Sequence, residues 1–187
     1  VWSKYEELTV ERDVPHDILY MVFQANERLS EDFYELSLLI EVLSNGKSSS
    51  LYQELVEEKH IFANFGGYHN SSFEKGLIIF SGRLEDGVTF DFAQEAVLEA
   101  LAKFESLETL EHQLEKIKNQ DRTEQAMEEI SLLQRVQNLA YAETVSDVSL
   151  CNEDIEKVEA VTVAGIVKAY DRYLNTKIFK VLKYKAS

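Results

Sequence analysis

Apolar and polar positions along the chain alternate in two rhythms, and together these order it as strand, strand, helix, helix, strand, strand, several helices and a last strand. Residues 4–12 and 17–25 read as strands, the second dense in β-formers (Ile18, Leu19, Tyr20, Val22 and Phe23), with Pro15 in the short connection. The period then changes. Phe33, Leu36, Ile40 and Leu43 recur every three to four residues, as on the core face of a helix. Ser30 is its expected N-cap, and Glu31 and Asp32 in the first turn suit the helix dipole. Asn45-Gly46 supplies left-handed residues to close that helix, and Ser48 is expected to cap the next, which turns Leu51, Leu55 and Val56 to one side.

Strands are expected at 61–70 and 76–84, joined by a turn marked by Asn70-Ser71-Ser72 and Gly76. Gly66-Gly67 points to a bulge or a close backbone approach. The loose alternation of Leu77, Ile78, Ile79 and Phe80 suggests a strand covered on both faces. Thr89 opens a helix with a broad apolar stripe from Phe92 through Ala96, Val97, Ala100 and Leu101 to Phe104. Ser106 opens another, carrying Leu107, Leu110, Leu114 and Ile117. Further helices are expected at about 123–144, at 152–159 and from Thr162, before a strand at 177–184. No linker, low-complexity segment or short repeat interrupts the series, so residues 1–187 read as one α+β domain.

Composition narrows the function. A hydrophobic content of 45% and a single proline argue for a folded core rather than disorder. The formal charge of −15 disfavours nucleic acid and anionic membrane surfaces as partners, because their phosphates would repel it. It is compatible with basic peptides, but the plainer reading of an acidic surface is solubility. No apolar run approaches the roughly 20 residues of a membrane span. The lone cysteine, Cys151, rules out an intrachain disulfide and a cysteine-rich metal site. The chain opens on Val1 rather than methionine, which suggests a piece of a longer polypeptide.

The stretch Val42 to Lys59, VLSNGKSSSLYQELVEEK, is the most specific pattern present. It resembles the glycine-and-serine signature of the C-terminal, non-catalytic domain of M16 zinc peptidases (the insulinase, pitrilysin and mitochondrial processing peptidase group). That family usually reads Leu-Gly-Gly-Gly-x-Ser-Ser-Arg-Leu-x-x-x-Leu-Arg-Glu-Lys, and Leu43, Gly46, Ser48, Ser49, Leu51, Leu55 and Glu57 keep its frame here. The junctions around Asp13 to Asp17, Arg28 to Tyr34, Leu114 to Asn119 and Ala160 to Thr162 look like the family's in the same order.

The resemblance implies a mostly antiparallel sheet covered on one face by helices. It also implies a metal-free half that closes on a peptide substrate, like a clamshell, with a metal-bearing M16 domain of the same or a partner chain. The zinc would belong to that other domain, and this one would hold no cofactor and catalyse nothing alone. By family position the substrate contacts fall at Ser48, Ser49, Ser50 and Ala63. In active members an arginine and a tyrosine, which donate hydrogen bonds to substrate carbonyls, occupy the places of Ser50 and Ala63. Neither replacement reaches as far, and Tyr52 or Tyr68 would have to compensate. A scaffold or acidic interaction domain that has lost substrate handling is the alternative. Two copies pairing with each other as a homodimer would mimic the clamshell.

Catalytic chemistry of its own is not encoded in a recognisable form. The family's His-x-x-Glu-His places two imidazoles one turn apart on a helix, with the glutamate as base. Here His16, His60, His69 and His112 are widely spaced, and the nearest mimic, His112-Gln113-Leu114-Glu115, continues with Lys116, whose ammonium would repel a metal. His60 and His69 could meet across their strand but bring no carboxylate. Cys151, expected near a helix N-terminus, has no histidine nearby in sequence. The serine run lacks a nucleophile elbow, so capping is the better account of it.

Overall fold

The structure is a computed structural model that describes residues 2–71, 73–103 and 107–187, without the side chains of Leu107 and Glu108. Ser72, Phe104, Ser106 and the Leu107 side chain, which carried expectations, lie outside the described residues. Five strands, β1 (Glu6–Arg12), β2 (Ile18–Gln24), β3 (Phe62–Asn70), β4 (Leu77–Leu84) and β5 (Lys180–Ala186), form one sheet in the order β1-β5-β2-β4-β3. Only the β1–β5 pair is parallel, so the sheet is mostly antiparallel, as expected.

The last strand lies between the first two. Complementary charges accompany that pairing: Lys180 meets Glu6, Lys183 donates to Glu7 at 2.6 Å, and Lys185 donates to Glu11 at 3.4 Å. At the far end Asp17 Oδ1 accepts from the amide of Ala186, pinning the strand's exit.

Between the strands run α1 (Phe33–Ser44), α2 (Ser50–Tyr52, continuing as a π-helical segment over Gln53–Glu58), α3 (Phe90–Ala102), α4 (Leu107–Glu128), α5 (Leu132–Val145), α6 (Leu150–Ala160) and α7 (Val163–Tyr173). Several boundaries differ from the sequence reading. Asp32, not Ser30, is the N-cap of α1, and its carboxylate makes no cap bond; it accepts instead from Asn26, Arg172 and Tyr173. Tertiary partners outcompete the local cap. The expected helix start at Thr123 is absent because α4 runs unbroken to Glu128. The Thr123 hydroxyl bonds back to the carbonyl of Asn119, and no glycine or proline stops the helix before the turn at 129–131. Ser131 caps α5, and α6 starts at Leu150 rather than 152. The final strand is shifted to 180–186.

The inner face of the sheet is an aromatic row. Phe179 stacks on Phe23 at 5.3 Å, Phe23 meets Phe80 edge-on at 6.0 Å, and Phe80 and Phe62 flank Phe65 at 6.3 and 4.9 Å. Two glycines make room for it. A Cβ on Gly67 would lie 2.4 Å from the Phe80 ring, and one on Gly82 would lie 2.5 Å from Phe62 and 2.8 Å from the Asn64 carbonyl. Gly67 thus admits a neighbouring ring rather than another backbone, and the β-bulge sits at Ala63, between Phe62 and Asn64.

β4 is not covered on both faces. Ile78, Phe80 and Leu84 are buried while Leu77, Ile79 and Ser81 stay half-exposed and Arg83 is exposed, a clean alternation. Its looseness in sequence came from apolar residues on the outer face, which belongs to the bare side of the sheet.

One buried ion pair ties the β2–α1 loop to α6. The Arg28 guanidinium, with its side chain 8% exposed, donates to both Asp154 oxygens at 2.7 Å and lies 4.3 Å from the Phe33 ring centroid. The Tyr34 hydroxyl donates to the same carboxylate; burial first, then that carboxylate, pushes its pKa up to about 12.

Gly82→Ala should destabilise the protein by about 1–3 kcal/mol, because neither the rings nor the Asn64 backbone can retreat cheaply. Urea denaturation would read this as a lowered midpoint at unchanged slope, whereas an unchanged midpoint would show that the aromatic row yields.

Candidate functional site: the serine turn and the bare sheet face

The turn between α1 and α2 closes on Gly46 alone, whose φ of +75° is the left-handed conformation a glycine adopts freely; Asn45 is extended at φ −87°. Its geometry is internally bonded. Ser49 Oγ donates to the Gly46 carbonyl at 2.8 Å, its amide donates to the same oxygen at 3.2 Å, and Gln53 Nε2 donates to the Lys47 carbonyl at 2.6 Å. Ser49, not Ser48, is the N-cap of α2, without a side-chain cap bond. Ser48 is exposed, and its hydroxyl accepts from the Lys116 ammonium of α4. At the other end of the segment, His60 terminates the helix with φ +49° and is exposed.

The four family positions therefore have different surroundings. Ser48 faces solvent beside a cation, Ser49 is 3% exposed, and Ser50 Oγ is buried with no hydrogen-bond partner among the described residues. Ala63 is half-buried on the β3 bulge, and β3 packs against α2. Of the tyrosines that could compensate, Tyr52 packs against the core and Tyr68 stands 54% exposed on β3.

α1 anchors the turn to the sheet through Ser44, whose hydroxyl contacts the carbonyls of Ile40 at 2.6 Å and Gly67 at 3.1 Å. One turn before Gly46, Glu41 hydrogen-bonds the Asn45 side chain. Burial, reinforced by Asp121 and Glu124 of α4, pushes its pKa up to about 7.

No metal chemistry is assembled. Among the described residues no group of three or more His, Cys, Asp or Glu side chains is placed to hold an ion. His16, His60 and His112 are exposed. His69 is enclosed between Ser37 (2.8 Å from Nδ1) and Ser71 (2.6 Å from Nε2). Because Ser71 donates its own proton to the Asn26 carbonyl, it accepts from Nε2–H, and Nδ1 accepts from Ser37. Burial, then the nearby Arg28 charge, lowers the His69 pKa to about 4, so the ring is neutral and both nitrogens are engaged. The residues present do not fit a zinc site. Cys151 lies within the first turn of α6, its Sγ 3.4 Å from the Asn138 carbonyl.

The sheet has one covered face and one bare one. Across the bare face Leu8, Leu182, Tyr20, Ser81 and Gly66 fall in register in one row, and Val10, Tyr184, Ile18, Arg83 and Asn64 in the next. Apolar and aromatic side chains dominate the β1, β5 and β2 positions of these rows and are half-exposed or exposed there. Pattern reading missed this surface because half-exposed apolar residues on β4 look like a doubly covered strand.

The sequence profile of the peptidase M16 inactive domain matches residues 3–130. The chain belongs to that family. No curated protein sequence matches it at a significant level. The M16 inactive-domain fold recurs in solved structures. It is similar to a protease from Helicobacter pylori (TM-score 0.84, 20% identity, covering 97% of this chain and 44% of that one). It is also similar to the inactive peptidase domain of a Bordetella parapertussis protein assigned as a zinc protease (TM-score 0.79, 20% identity, 96% and 98% covered). A third likeness is to the peptidase M16 inactive domain from Pseudomonas fluorescens (TM-score 0.79, 13% identity, 100% and 44% covered). The chain thus spans less than half the length of the Helicobacter pylori and Pseudomonas fluorescens chains.

The Glu41 environment has a measurable consequence. A carboxyl whose folded pKa is raised binds its proton more tightly folded than unfolded, so its ionisation destabilises the fold as pH climbs from about 4.5 towards about 7. Glu41→Gln should therefore gain stability relative to the unaltered protein across that window and hold the gain above it. Denaturation midpoints at pH 4.5, 6 and 8 check this; a difference independent of pH would place Glu41 in solvent.

Proposed function

We propose that this M16 inactive domain is the metal-free, substrate-enclosing half of a clamshell zinc metallopeptidase. Its counterpart is a metal-bearing M16 domain in the same or a partner chain, which holds the zinc and performs hydrolysis on a peptide substrate. The observation that carries this reading is the bare apolar sheet face, a surface of the character that another domain covers. The serine turn supports it, because α1 and Ser44 hold it against β3, the strand whose bulge carries Ala63. In this role the chain has no catalytic residue. It orders the peptide and excludes water while the partner supplies the chemistry.

A second reading has its own observation. Ser50 turns its hydroxyl inward and Ala63 has no polar group, so neither family contact reaches a substrate carbonyl. A pseudo-peptidase scaffold that pairs with its partner without handling peptide would look like this.

Hydrolysis of a quenched fluorogenic peptide by the metal-bearing domain, in zinc with and without this chain, separates the two. Dependence on the chain, together with a several-fold rise in turnover for the Ser50→Arg/Ala63→Tyr double variant, is the expected result. Pairing without any effect on turnover, in either form, would move the chain to the scaffold role.

A further inference from the structure

The helix layer carries an apolar surface that the substrate-enclosing role does not use. α5 is a 14-residue helix in which Ala142 is the buried residue. Its apolar side chains face outward: Leu132 is 75% exposed, Leu133 68% and Val136 54%, and Ile130 in the preceding turn reaches 86%. Their spacing makes an amphipathic helix whose apolar stripe is left largely exposed. Beside it, a groove of about 410 Å³ runs between the end of α4, α5 and α6. Leu139, Ala142, Leu150 and Ile155 contribute its apolar lining, and Glu128 and Glu129 stand at its α4 end.

Charge identifies the kind of occupant. Between 121 and 160 the chain has ten carboxylates against three cations, Arg122, Arg135 and Lys157. Two of those cations are engaged, Arg122 with Glu159 and Lys157 with Glu153 at 2.8 Å. α4 has no basic residue in its last turn, so Glu128 adds to the negative end of the helix dipole rather than opposing it. A second copy of the chain would bring −15 against −15. A cationic partner removes the repulsion and covers the apolar stripe at once.

We propose that α5 and its groove dock a basic amphipathic helix of a protein partner. Apolar side chains of that helix lie along Leu132, Leu133 and Val136 and enter the groove, and its lysines or arginines face Glu128 and Glu129. This interaction is independent of the substrate-enclosing reading, since the surface lies on the helix side of the sheet, away from the bare face.

The test uses the full chain and a fluorescein-labelled 14-residue leucine–lysine peptide with helical amphipathic spacing, read by anisotropy. A peptide of identical composition in scrambled order and one with glutamate in place of lysine are the controls. The amphipathic cationic peptide should bind at least tenfold more tightly than either. Leu132→Glu/Val136→Glu should weaken it at least tenfold, with the fold checked by circular dichroism. Glu128→Lys/Glu129→Lys should weaken it too and reduce its salt dependence, while Glu57→Lys/Glu58→Lys on α2 should leave it unchanged. Equal binding of the scrambled peptide, indifference to the α5 variant, or no binding would each overturn the proposal. So would sedimentation showing a dimer that Leu132→Glu/Val136→Glu disperses, which would assign the surface to a second copy.

Discussion

The aromatic row on the inner face of the sheet sets the position of everything that bears on function. Phe179, Phe23, Phe80, Phe65 and Phe62 cross from β5 to β3 as a continuous series, and they fit only because Gly67 and Gly82 present no Cβ to their rings. Gly67 serves twice. Its missing side chain admits Phe80, and its carbonyl meets Ser44 at the end of α1. The serine turn begins immediately after that anchor, so its place above β3 follows from how the rings pack. A shift of β3 by one residue would move the notch, the anchor and the turn together.

From this row follows the asymmetry of the molecule. α1, α2 and α3 pack on the sheet over the rings, where apolar burial is greatest, and the opposite face keeps Leu8, Leu182, Tyr20 and Tyr184 half-exposed or exposed. A sheet with one bare apolar face is incomplete as a soluble object, and that incompleteness is the physical basis for reading the chain as one half of an assembly. The helix layer has a second, different incompleteness at α5. The two surfaces differ in chemistry, one apolar with Arg83 and the Glu6–Lys180 pair of both signs and the other ringed with carboxylates, so they suit different partners.

The excess of negative charge is managed unevenly. On the sheet, the lysines of β5 pair with the glutamates of β1. The buried Arg28 holds Asp154 and through it α6, with Phe33 and Tyr34 as its walls. Between α1 and α4, Glu41 lies beside Asp121 and Glu124, and burial with these acidic neighbours raises its pKa to about 7 at the base of the serine turn.

Local features of the sequence were sufficient for the order of the elements, the tight turn at Gly46, the scattered histidines and the family signature. Each of these depends on residues a few positions apart, through periodicity, capping or motif spacing. Strand order was not readable, because the insertion of β5 between β1 and β2 joins opposite ends of the chain, as in Glu6 with Lys180 and Ile18 with Tyr184. Nor was the fate of single side chains. That Gly67 makes a notch while the bulge falls at Ala63, that the carboxylate of the α1 N-cap Asp32 bonds to α7 rather than to its own helix, and that Ser50 turns inward are all consequences of what packs from elsewhere. The outward stripe of α5 has the same pattern as a core helix, and amphipathicity says only that a helix has an apolar side. Whether that side is covered is a property of the tertiary structure, since it depends on whether any other element reaches it.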